Sequence, residues 1–389
     1  MSSDLAAAEV PIIDVDAHVT EPATLWTERV SSKWGDLVPH VVTEPDGGER
    51  WMVGNKRLES VGKWAAAGWS EYPPAAPPTY AQCDLGAWDP AGRLSRMDEY
   101  GIYAQVLYPN IMAFYLAALF ELGQPELLDE LVRAQNDFLS DFASENSRRL
   151  VPLMVLPYWD VEKSVKEIER CAKRGHKGIV FGSNFDKIGL PKIWSEHWDP
   201  VYRAAQRLGL SINFHVGFVE FSEAELGNRL HTPGAEHARM TSVGNLGNAR
   251  AVADVITMGL CHRYPELNFV SVESGVGWLP YLLESLDWHW CNFGARAEHP
   301  EMELPSFYFH RQVYGSFWFE RESLRRVVDL LQDNVMFESD YPHPTSLSPG
   351  PASVAERPSV SAKKSLEGVP ADVARKVLYD NAARVYHLN

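Results

Sequence analysis

The chain has 389 residues, 45% hydrophobic and 23% charged, an ordinary globular composition that excludes disorder, collagen and coiled coil. A net charge of −16 disfavours nucleic acid and anionic membrane as partners, because both require basic surface. No apolar run approaches the roughly 18 residues of a membrane span, and the N-terminus MSSDLAAAEVP lacks the basic flank and apolar stretch of a secretory signal. The four cysteines (Cys83, Cys171, Cys261, Cys291) are widely spaced and form no metal-finger pattern, so the expectation is a reduced, cytoplasmic protein.

In chain order, short runs rich in β-branched residues read as buried strands: IIDVDAH (12–18), AQVLYPN (104–110), LVPLMVLPY (150–158) and HKGIVFGS (176–183). LSINFHVG (210–217), NFVSVES (268–274), QVYGSFWFE (312–320) and VMFESDYPH (335–343) complete eight. Amphipathic stretches at 91–101, 125–146, 161–174, 199–208, 245–263, 277–291, 322–332 and 370–386 read as helices. In 199–208, Asp199 is the expected cap, Pro200 occupies the first turn and Gly209 ends the helix. This alternation predicts an α/β fold, a closed (β/α)8 TIM barrel occupying 1–389 as one domain. A doubly wound open sheet is the alternative, but no GxGxxG turn follows any strand.

Two stretches break the rhythm, and both leave the C-terminal ends of strands, where barrel active sites are built. Residues 19–90 hold Trp26, Trp34, Trp51, Trp64, Trp69 and Trp88 and the Pro-rich stretch Pro73–Pro78; they read as a lid or as a homodimer contact. Residues 218–244, after the fifth strand, carry His231, Gly234 and His237.

Polar residues end four of the strands. Asp14, Asp16 and His18 share one face of the first at period two, Asn213 and His215 end the fifth, Glu273 the sixth, and Asp340 with His343 the eighth. Several carboxylates and imidazoles at one barrel mouth are too costly to bury without a cation, so a metal site is expected. Asp16, Glu273 and Asp340 together suit either one or two divalent ions, and a hard oxygen-plus-imidazole set suits iron or manganese. Asp14 lies deeper and is expected behind the ligands; His343 is either a further ligand or a residue that contacts substrate.

The DxDxH opening, NFHVG, ESGVGWLPYLLE, SDYPH and the closing NAARVYHL resemble the amidohydrolase-related branch of the amidohydrolase superfamily, which includes aminocarboxymuconate semialdehyde decarboxylase and the resorcylate decarboxylases. The resemblance runs from residue 11 to 388. It implies metal ligands at Asp16, His18, His215 and Asp340. The branch has HxH where this chain has Asp16-Ala17-His18, and often a catalytic His where this chain has Glu273. With those two carboxylates the chain is more similar to the TIM-barrel nonheme diiron monooxygenases, whose type member serves diterpenoid antibiotic biosynthesis.

That second resemblance implies two irons held by Asp16, His18, His215, Glu273 and Asp340, with His343 as a candidate sixth ligand. It also implies an oxidoreductase that uses O2 and an external electron donor to hydroxylate a C–H bond of a bulky, apolar, CoA-linked substrate. Arg229, Arg239 and Arg250 are candidates to receive a CoA tail, against ordinary surface arginines. The alternative is a mononuclear hydrolase or decarboxylase with one Zn or Mn, in which Glu273 acts as general base and Asp340 as ligand.

Overall fold

The computed structural model describes residues 10–217 and 233–388. Eight parallel strands close into a barrel: β1 (Ile13–His18), β5 (Ala104–Tyr108), β6 (Leu150–Met154), β7 (Gly178–Phe181), β8 (Ser211–His215), β9 (Phe269–Val272), β10 (Val313–Phe317) and β11 (Val335–Phe337). Each expected strand is present, and β1 closes the ring by pairing with both β5 and β11. Every residue of these strands is buried, because helices cover the outside and side chains fill the inside.

Local chemistry explains the helices between the strands. In Pro90–Tyr100 the Asp89 side chain accepts from Gly92 N (2.7 Å), Pro90 starts the first turn, and Gly101 takes the left-handed conformation (φ 72°) at the end. Its buried Arg93, Met97 and Tyr100 follow helical spacing onto the barrel. Helix Asp199–Arg207 corrects one expectation. Trp198, not Asp199, holds the cap position, while Asp199 begins the helix and its carboxylate takes Arg263 Nη1 at 2.5 Å.

Two further expectations shift. The eighth strand stops at Phe337 rather than 343, because Asp340 adopts φ 56° and leaves the extended region. The chain nevertheless stays beside β1, through Asp340 N to Asp16 O (2.9 Å) and His18 N to Tyr341 O (2.7 Å). The C-terminal helix expected over 370–386 is two helices, Ala371–Arg375 and Asn381–Tyr386, joined by a π turn at Lys376–Asp380.

The insertion after β1 contains an antiparallel sheet of β2 (His40–Thr43), β3 (Glu49–Val53) and β4 (Lys56–Ser60). Its signals were in the sequence: Asp46-Gly47-Gly48 and Gly54-Asn55 are turn pairs between runs of strand-forming residues. Trp26 and Trp51 are buried and meet edge to face at 5.4 Å. Ala67 N donates to Pro342 O (3.0 Å), which fastens the insertion to the loop after β11. Helix Pro233–Gly244 is the described part of the second insertion, and residues 218–232, with Arg229 and His231, lie outside the described residues. No described helix is long and apolar enough to cross a membrane.

Candidate metal centre

Six side chains from four strand ends meet at the C-terminal mouth of the barrel. Three overlapping groups lie close enough to hold a metal ion: Asp16, His18 and His215; His18, Asp340 and His343; and Asp16, Glu273 and Asp340. His18 Nε2 is 2.9 Å from His215 Nε2, 3.4 Å from Asp16 Oδ1 and 3.8 Å from Asp340 Oδ1. His215 Nε2 is 3.7 Å from Asp16 Oδ2 and 3.5 Å from Glu273 Oε2. The His18 and His343 rings stack at 3.7 Å.

Backbone geometry puts two of these carboxylates where they are. Glu273 and Asp340 are non-glycine residues at φ 52° and φ 56°, a conformation that costs about 1–2 kcal/mol and persists only where surroundings enforce it. Buried Glu338 accepts the Glu273 N–H at 2.9 Å and the Ser316 hydroxyl at 2.5 Å. Glu320 accepts from Val276 N (2.8 Å) and Gly277 N (3.0 Å), holding the far side of the same turn. Thr345 donates to Asp340 Oδ2.

Buried polar atoms here lack partners. Both carboxylate oxygens of Asp16 and Oδ1 of Asp340 accept no hydrogen bond among the described residues, although they are fully buried. An acceptor left bare in a dry interior is destabilising by about 1–3 kcal/mol, more if charged, so the donor set fits a divalent cation. His215 Nδ1 lies 2.6 Å from Val216 O, where only an N–H makes a hydrogen bond. That proton leaves Nε2 of the neutral ring bare and facing the cluster.

The charges compete. Burial pushes Asp16 upward, but His215 and His18 outweigh it and hold its carboxyl below the usual range. The other carboxylates have no such support. Burial and Asp16 push Asp340 up to about 7, and burial with Asp340 and Asp16 pushes Glu273 well above its ordinary value. Burial and Asp16 do the same to Glu338. His18 is pushed down to about 3 by burial and by His343, and His343 to about 3 by burial and by His215. Burial lowers His215 too, but Asp16 overrides it and raises the ring.

Asp14 stands behind the cluster. Its carboxylate accepts from Ser339 N (2.8 Å), Ser339 Oγ (2.5 Å) and Gln105 Nε2 (2.9 Å), which ties β1 to the loop after β11. Sequence reasoning missed Glu338, Glu21, Asn110 and Arg93. Glu338 could have been found, as a charged residue inside the apolar run VMFESD. The guanidinium of Arg93, fully buried, donates to Gly86 O (2.5 Å) and His18 O (2.5 Å). From sequence it is one more helical arginine, with nothing to mark it.

Beside the cluster is a cavity of about 400 Å3 lined by Tyr72, Pro73, His237, Trp318, Phe319 and Thr345, among others. Tyr72 and Pro73 come from the first insertion and His237 from the second. Trp64, also from the first, stacks on Phe114 at 4.8 Å and stands 5.1 Å from the His343 ring. Arg239 pairs with Glu236 (3.2 Å) and Arg250 approaches Asp254 (3.8 Å); neither lines the cavity.

Residues 13–388 match the family model described as Amidohydrolase. Among curated proteins, the chain is 26% identical over 287 residues to 2-amino-3-carboxymuconate-6-semialdehyde decarboxylase of Dictyostelium discoideum, covering 70% of this chain and 72% of the relative. It is 24% identical over 258 residues to gamma-resorcylate decarboxylase of a Polaromonas species, covering 64% and 76%. The solved 5-carboxyvanillate decarboxylase of Novosphingobium aromaticivorans, complexed with manganese and 4-hydroxy-3-methoxy-5-nitrobenzoic acid, superposes with a TM-score of 0.64 at 17% identity, covering 98% of this chain and 97% of that one.

These relatives overturn the diiron monooxygenase expectation. Both curated relatives are decarboxylases, a reaction that splits a C–C bond and needs no O2, no external electron donor and no CoA-linked diterpenoid substrate. The two-iron expectation rested on the charge of Asp16, Glu273 and Asp340; in the folded cluster His215 and His18 hold Asp16 below the usual range, while burial and Asp16 push Glu273 and Asp340 upward.

Proposed function

Because the chain belongs to the amidohydrolase family, we propose that it is a mononuclear metal-dependent decarboxylase, with one Mn or Zn held by Asp16, His18, His215 and Asp340. The observation that carries this reading is the set of overlapping groups that His18, His215, Asp16 and Asp340 form at three strand ends, with His18 Nε2 2.9 Å from His215 Nε2 and bare oxygens on both aspartates. The relatives' names and the manganese in the Novosphingobium enzyme support it. A bound divalent ion would anchor the substrate's carboxyl group and withdraw charge from it.

The chain's own residues supply the rest. Glu273 has the most exposed side chain of the cluster, 11% against 2% or less for the others whose side-chain exposure bears on the ion, and stands at its rim. It delivers the proton to the carbon that loses CO2, whose bond pair stays on that carbon as the C–C bond breaks. Residues 19–90 act as a lid. Trp64 stands over the His343 ring, and Tyr72 and Pro73 wall the cavity, so water is excluded and the charged groups interact in a low dielectric.

The test loads the full chain with Mn2+ or Zn2+, measures metal content, and follows CO2 release from a panel of aromatic and unsaturated carboxylic acids without oxygen. One ion per chain and chelator-sensitive CO2 release are expected. Binding of two ions, or hydrolysis of amides or esters with no CO2 from any acid, overturns the reading.

A further inference from the structure

His343 Nδ1 lies 2.9 Å from Asp340 Oδ1, yet that oxygen takes part in no hydrogen bond. Two polar atoms this close, both buried and not aligned as donor and acceptor, are either a strained contact or two lone pairs aimed at a common cation. The far side of the ring decides between them.

His343 Nε2 is 2.9 Å from Asn110 Oδ1. The orientation of that amide is set by its other end, where Asn110 Nδ2 lies 3.2 Å from Val19 O and 3.5 Å from Glu21 Oε2. A backbone carbonyl only accepts, so the nitrogen must face Val19 and the oxygen must face His343. Glu21 fixes the whole residue: its Oε1 accepts Asn110 N (2.8 Å) and Ile111 N (3.0 Å) from full burial. Asn110 Oδ1 then requires the proton of the neutral imidazole on Nε2. Nδ1 is left with its lone pair, beside the bare oxygen of Asp340 and stacked against His18.

We infer that His343 is a ligand of the cation through Nδ1, and that Asn110, held by Glu21, is the positioning residue that selects the tautomer able to bind. This rests on the metal-site reading above and extends it from four protein donors to five. An outer partner that fixes the tautomer of a ligating histidine is typically worth about 10–100-fold in metal affinity.

The full chain reconstituted with Co2+ tests it without any substitution. Each imidazole bound through one nitrogen keeps one exchangeable N–H on the other, shifted by the paramagnetic ion in the proton NMR spectrum. Three such signals are expected, from His18, His215 and His343; two would overturn the inference and leave the four-donor site standing. Failure of the wild-type chain to bind Co2+ would overturn both readings together.

Variants give an independent check by chelator competition. His343→Gln and Asn110→Leu should each lose about 10-fold or more in Co2+ affinity and alter the visible ligand-field bands. Wild-type affinity and spectrum in His343→Gln would overturn the assignment.

Discussion

Replacing Asp340 with Asn should change stability in opposite directions with and without a bound cation. Asparagine tolerates the left-handed conformation (φ 56°), so the backbone need not move, and its carbonyl can still accept from Thr345. In the metal-free protein the Asp340 carboxyl titrates near 7 rather than at its ordinary 3.8, because burial and Asp16 both disfavour its charge. The folded state therefore binds the proton more tightly than the unfolded state does. Stability from this group is complete below about pH 4 and is lost as pH rises to about 7, where the loss levels off.

Three units at about 1.4 kcal/mol each give a loss on the order of 4 kcal/mol. At about 1–2 °C per kcal/mol for a chain of this length, that is about 4–8 °C in Tm. Thermal melts followed by intrinsic tryptophan fluorescence in chelator should show Asp340→Asn melting above wild type near pH 8, with the gap narrowing as pH falls toward about 4. Adding Mn2+ at well above 1,000 times Kd should reverse the order near pH 8, because the wild type then gains more than about 4.1 kcal/mol of ligand stabilisation and the variant lacks the anionic ligand. A metal-free variant that melts below wild type near pH 8 would refute the charge-crowding argument.

Glu273→Gln should keep one ion per chain while kcat falls by about 10²–10⁴, measured by metal analysis and CO2 release on the same sample; loss of the ion would make Glu273 a ligand instead. Trp64→Ala should reduce kcat/KM by about 10-fold or more with metal content unchanged, since it opens the roof over His343; unchanged kinetics would remove the lid from the mechanism. Gly275→Ala places a Cβ 2.9 Å from Glu320 Oε1 at a residue with φ 64°. It should lower stability by about 1–3 kcal/mol and shift the Glu273 turn, read as a lower Tm together with a lower kcat; a neutral effect on both would mean that the turn is not held as described.

Much of this was legible in the residues. Apolar runs bounded by turn residues located all eight barrel strands, since a strand buried on both faces must be apolar along its length. The same rule made Asp16, His18, His215, Glu273, Asp340 and His343 conspicuous, and the structure brings all six together. Asn110 and Glu21 escaped notice because they sit where polar residues are unremarkable, just beyond the ends of strands. Their roles come from contacts 89 and 233 positions apart in the chain.

Sequence alone determined which side chains gather at the mouth, because hydrophobic periodicity sets each residue's face and the barrel sends every strand's C-terminal end to one side. It could not determine how the charge of that gathering is settled. Whether a buried carboxylate is ionised depends on distances of a few ångströms to groups remote in the chain: His215 and His18 hold Asp16 below the usual range, whereas burial and the Asp16 charge push Asp340 and Glu273 upward. Only the folded barrel sets those distances, and at low dielectric they govern both the ionisation of the cluster and the cation it can hold.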